Sequence, residues 1–200
     1  MSEQERRENH MQYGMAICLY TLDNCPDNND LFFIAITQIN HGGPTVVSDP
    51  SKRRVSALLN LKAGNLSIIF SDYTTALSLF KHGISYLGDD KWSSNYELSL
   101  NLFDAAAEAA GVLNKNEAVT SYTKELVTHA KSYDDSLNCL TVAAKSLHQA
   151  GLVKVRRKYS FFFESLYHFT RTYIYCSSYR SQCHPHLIYC LTLERSLYVT

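Results

Sequence analysis

Residues 73–87, YTTALSLFKHGISYL, carry the pattern that most restricts this chain. Tyr73, Ala76, Leu77, Phe80, Ile84 and Leu87 recur at helical spacing, opposite Thr74, Ser78, Lys81 and Ser85. A strand would alternate its apolar residues, so this stretch is a helix that needs a partner for one face. Ser71 or Asp72 is placed to cap its start, and Gly88 to end it in the left-handed region. The same period recurs up to Gly151, and no run of alternating β-branched residues interrupts it. The expected fold class is therefore all-α.

The segment that follows demands more than one partner. After Asp89-Asp90, Ser94 and Glu97 have the spacing of a capping box, with Trp92 bracing the entry. A helix over about 95–113 carries one stripe of Tyr96, Leu100, Phe103, Ala107 and Ala110. A second stripe holds Leu98, Leu102, Ala105, Ala109 and Val112. A helix apolar on two sides is covered by neighbours on both. Alanine at 105, 106, 107, 109 and 110 permits close approach.

Further helices are expected at 8–22 and 29–40, joined by the loop 25–29, and after Asp49-Pro50 on Val55, Leu58, Leu59, Ala63, Leu66 and Phe70. Two more follow, over 117–131 on Val119, Tyr122, Leu126 and Ala130, and from Asp134-Asp135 through Leu137, Leu140, Ala144 and Leu147. Tetratricopeptide-type pairs place a small residue in one helix, Ala twelve residues later and an aromatic four beyond that. Gly64, Ala76 and Phe80 have this spacing, as do Ala106, Ala118 and Tyr122. Ala144 continues the series, but its partners would be Arg156 and Ser160. The expected architecture is antiparallel helix pairs stacked as a tetratricopeptide-like solenoid over residues 1–152. A generic antiparallel bundle is the alternative.

Composition changes abruptly in the tail, 153–200. All fifteen alanines lie at or before Ala150, and residues 159–200 lack Ala, Gly, Asp, Asn and Lys while holding seven of fourteen tyrosines. An atypical terminal cap is one reading. A metal site on Cys176, Cys183, His184, His186 and Cys190 is another, against common zinc spacings. The favoured reading is non-homologous sequence, irregular or poorly ordered.

Motifs for chemistry are missing. No GxxxxGK[ST] loop offers a phosphate cradle, and GxSxG, HExxH, HRD and DFG are absent. His41-Gly42-Gly43-Pro44 reads as a breaker between helices, and Lys154-Val155-Arg156-Arg157-Lys158 as a solvated helix end. His82, His129 and His148 have no acid or cysteine at ligand spacing, and Trp92 reads as a packing anchor. No catalytic, cofactor-binding or metal residue is assigned, and no cofactor. Lys plus Arg equals Asp plus Glu, so nothing steers the chain to nucleic acid, and no apolar run is long enough for a membrane span. The charged start MSEQERRENH is unlike a secretory signal. The six cysteines lack CxxC pairs, which points to free thiols and a cytoplasmic location.

Several stretches together resemble one family. They are "YGMAICLY", "LFFIAITQINHGGP", "LNLKAGNLSIIFSDYTTALSLFKHGISYLGDDKWSSNYELSLNLFDAAAEAA" and "NKNEAVTSYTKELVTHAKSYDD". Over residues 11–152 the chain is similar to the tetratricopeptide-like region of large AAA-type ATPases linked to protein-kinase or histidine-kinase modules, of microalgal, fungal and bacterial type. The resemblance implies a helical-repeat fold and a regulatory context, and it carries no catalytic residue onto this chain. The expected function is a non-catalytic scaffold that binds other protein domains or peptides. The alternative is a regulatory segment of such a signalling ATPase or kinase whose catalytic domains lie outside these residues.

Overall fold

The computed structural model describes residues 1–149, and among them every regular element is helical. The elements are α1 (Glu3–Asn24), α2 (Asn29–Gly42), α3 (Pro50–Ile69), α4 (Tyr73–Leu87), α5 (Lys91–Ser94), α6 (Tyr96–Val112), α7 (Asn116–His129) and α8 (Tyr133–Gln149). A 3-10 turn, Pro44–Val46, lies between α2 and α3. The expected tail, 153–200, lies outside the described residues.

Side-chain caps set most helix starts. Ser2 and Glu5 form a reciprocal capping box on α1, which therefore begins earlier than its apolar pattern. Asn28 accepts from the Leu31 amide, Asp49 from Ser51, and Asp72 from Thr75. Ser71 does not cap α4; it sits at φ +61 and donates its amide to the Ile68 carbonyl. At the other end of α4, Gly88 takes φ +75, which a side chain would resist.

The capping box expected at Ser94 and Glu97 does not form. Ser93 and Ser94 both donate their hydroxyls to the Asp90 carbonyl, inside the short helix α5. Asn95 then precedes α6 with no side-chain cap. The spacing was right, but Ser94 is the last residue of α5 with its hydroxyl turned back on Asp90, and Asn95, not Ser94, stands at the start of α6, so the Ser94 oxygen is not offered to the Glu97 amide.

The helices pack in pairs: α1 on α2, α3 on α4, and α6 on α7. Each pair also meets the next, through α2 with α3, α4 with α6, and α7 with α8. Where two helices cross closely, a glycine makes room. A Cβ on Gly64 would lie 2.2 Å from Cε1 of Phe80, whose ring is fully buried. A Cβ on Gly14 would lie 2.6 Å from the Ile39 nitrogen and 2.8 Å from the Ala35 oxygen. The α4–α6 contact repeats the device, with Gly83 facing Leu102.

Helix α6 contacts α3, α4, α5, α7 and α8, which accounts for its two apolar sides. Ala106, Ala107, Ala109 and Ala110 are fully buried. Val112 is 51% exposed, so the second stripe ends before it. Polar groups join the first pair to the second. Asn40 and Asn60 exchange amide hydrogen bonds of 2.8 and 3.0 Å, and Asn60 also donates to the Ser56 carbonyl. The Tyr86 hydroxyl on α4 donates to the Ile39 carbonyl on α2 at 2.7 Å. Both links satisfy groups that burial would otherwise penalise.

Candidate functional site

The residues that carry unusual chemistry gather at four places. His41-Gly42-Gly43-Pro44 forms the turn after α2, where Gly42 closes the helix and Gly43 takes φ +76. Arg7 donates from Nε to the Gly42 carbonyl at 3.0 Å, and Arg53 donates to the carbonyls of Val47 and Pro44. Two guanidiniums thus tie the turn to α1 and α3 through its backbone oxygens. Beside it, His10 Nδ1 lies 2.7 Å from Gln38 Oε1, and the His10 and His41 rings meet edge to face at 5.4 Å. His82 is half-buried; burial, then the neighbouring His41, push its pKa below the usual imidazole value.

Trp92 is a buried anchor with partners that local spacing does not supply. Its indole N–H donates to Glu125 Oε1 at 3.0 Å, across to α7. His129 stacks on its face at 5.0 Å, and Phe103 packs at 5.2 Å. Lys91 Nζ lies 3.4 Å from the same Glu125 oxygen. The Trp92 hydrogen bond, aided by Lys91 and His129, holds the Glu125 carboxyl below its usual range.

At the α6–α8 contact, Asp104 Oδ2 accepts from Asn138 Nδ2 at 2.6 Å, while Oδ1 is buried without a hydrogen-bond partner. Burial raises the Asp104 pKa, and Glu108 adds to it. The adjacent Cys139 thiol is pushed up to about 12, first by burial and then by Asp104. A thiol so raised stays protonated and is a poor nucleophile. Cys18, also a free thiol, is raised by burial as well.

The fourth place is a cleft of about 310 Å³ between the α1–α2 turn and α3. Thr21, Asp27, Asn29, Phe32, Lys62 and Leu66 are among the residues that line it. Lys62 Nζ sits 5.1 Å above the centre of the Phe32 ring. Phe32 is only 3% exposed and its ring lies under Lys62, so what the cleft offers a ligand is one cation, the Asp27 carboxylate and short polar groups.

Among the described residues no three His, Cys, Asp or Glu side chains are grouped to hold a metal ion. None of the helices there is long and apolar enough to cross a membrane. Lys154–Lys158 and the cluster Cys176, Cys183, His184, His186 and Cys190 lie outside the described residues, as does the side chain of His148. Lys62, Asp104 and Gly14 escaped the sequence reading. Gly14 meets Ala35 and Ile39, 21 and 25 residues on, because α1 and its turn are longer than a twelve-residue spacing allows.

Over the described residues the fold is all-α, built of packed antiparallel helix pairs. Comparison with protein-family models, with curated proteins and with solved structures finds no match.

Proposed function

We propose that this chain is a non-catalytic helical-repeat scaffold that holds other protein domains or peptides by surface complementarity. The observation that carries this reading is the Gly64–Phe80 crossing, set within helix pairs that each meet the next. Such pairs, repeated, present a continuous surface of first helices to a partner. The cleft beside Lys62 and Phe32 supports a peptide as the occupant. The second reading is a regulatory segment of a multidomain signalling ATPase or kinase, favoured by the blocks of sequence from Tyr13 to Asp135 that resemble such proteins. Its proper location is cytoplasmic in either reading.

The full chain, immobilised, should select a recurrent motif from a random displayed-peptide library. A synthetic peptide of that motif should bind saturably, and Lys62→Glu should weaken it severalfold without changing the circular-dichroism spectrum. Magnesium-dependent ATP turnover by the purified chain, abolished by a point substitution within it, would overturn the non-catalytic reading. Failure to select any motif would remove the peptide-binding one.

A further inference from the structure

Helix α3 carries charge of one sign. Between Pro50 and Ile69 it holds Lys52, Arg53, Arg54 and Lys62 and no acid. Arg53 is tied to the carbonyls of Val47 and Pro44, whereas Lys52, Arg54 and Lys62 are exposed. Between Arg54 and Lys62 on the helix surface lie Val55, Leu58 and Ile69, which are 47, 51 and 73% exposed. At helical spacing these five side chains fall within about a third of the circumference, over a length of about 22 Å. Ser56, Asn60, Ala63, Gly64 and Ser67, on the other side, are buried. We propose that this outer face of α3 docks an acidic amphipathic helix of another protein, an inference that rests on the scaffold reading above and names its class of partner.

A single exposed leucine is ordinary, but an apolar row along one helix, flanked by charge, is what a partner helix covers. The charge decides which partner. Lys52, Arg54 and Lys62 form no ion pair among the described residues. The acids nearest in the fold are otherwise engaged or out of reach. Asp49, at the start of α3, accepts the Ser51 amide, and Asp72, beyond its end, accepts the Thr75 amide. Asp27 lines the same cleft as Lys62 without pairing with it. Carboxylates flanking the partner's apolar row would meet Arg54 and Lys62, while a basic helix would be repelled by both.

Other occupants fit this face less well. Residues 150–200 hold seven Lys or Arg and two Glu, the wrong sign to cover it. A flat anionic surface broad enough to cover α3 would also meet the exposed carboxylates of Asp49 and Asp72 at its two ends. A helix, about 10 Å wide, meets the row alone.

Fluorescence anisotropy with the full chain tests the proposal. The probes are a labelled helical peptide of leucine, alanine and glutamate, as long as α3, and its lysine counterpart. The glutamate peptide should bind saturably, more weakly as salt rises, and severalfold more tightly than the lysine peptide. Arg54→Glu combined with Lys62→Glu should reverse that preference with an unchanged circular-dichroism spectrum. Ile69→Ser should weaken the glutamate peptide severalfold, and it serves alone should the double variant not fold. Equal binding of the two peptides, binding of neither, or no effect in whichever variant folds would each overturn the proposal. So would a glutamate peptide that does not bind while the same variants lose adhesion to phosphatidylserine vesicles or a self-associated species in sedimentation velocity; the face would then serve a membrane or a second copy. A motif without acids from the displayed-peptide library would remove this inference and leave the scaffold reading standing.

Discussion

Phe80 shows what one side chain contributes to this fold. Its ring is fully buried and fills the space that Gly64 leaves open on α3. Phe80→Ala removes the ring and leaves a cavity that neighbouring helices only partly close, at a cost of about 3–5 kcal/mol. Denaturant unfolding should show this as a lower midpoint; a loss below about 1 kcal/mol would mean that the ring is not the wedge between the helices. Gly64→Ala should also destabilise, yet less so in the Phe80→Ala background, where the added methyl has room. This contact was legible because both residues sit on paired helices of ordinary length, so their separation in sequence encodes the crossing. The Ser94 cap was not legible, since only the backbone path of α5 decides that Asn95 rather than Ser94 precedes α6 and that the Ser94 hydroxyl turns back to Asp90. Asp104 was equally opaque: a carboxylate reads as solvent-facing until a third helix is known to cover it.

At the scale of the element, α6 and α8 are joined at a point of unrelieved charge. Asp104 is deprived of water, keeps one unpartnered oxygen, and has Glu108 as its charged neighbour. Its folded pKa is raised, so the stability it contributes is complete below the unfolded carboxyl value and disappears as pH rises through the folded one. At neutral pH the ionised group weakens the α6–α8 contact. Asp104→Ala releases the exposed Asn138 to water, keeps a good helix former on α6, and should raise stability at pH 7 by about 1 kcal/mol. Thermal unfolding measured down through the carboxylate range should show that advantage shrinking as the wild-type carboxyl takes up its proton. A variant less stable than wild type at neutral pH would show that the Asn138 bond outweighs the burial. The double apolar face of α6 was readable from its alanines and leucines, whereas the identity of its neighbours required the path of the whole chain.

For the whole molecule, the helical pattern and its caps agree with one another up to the end of α8, and then the composition changes. Caps, apolar stripes and small residues at crossings all specify the same packing in the described residues, a consistency that marks a sequence able to fold by itself. Removing residues 159–200 should accordingly leave a cooperative, helical protein with an unchanged or higher unfolding midpoint. Loss of cooperative unfolding in a chain ending at Lys158 would instead identify the tail as a capping repeat.

The exchange of amides between Asn40 and Asn60 bears on how such a molecule is ordered. Sliding α2 along α3 by one turn, about 5.4 Å, would part both side chains and strand two donors and two acceptors away from water. Leucine in their place would tolerate the slip. The pair therefore acts as an address between α2 and α3: the two helices close only with a matching amide at the matching height. Helix pairs of this kind are not freely interchangeable, and a chimaera that transplanted α3–α4 behind another pair would need a carboxamide opposite Asn60 before it could close.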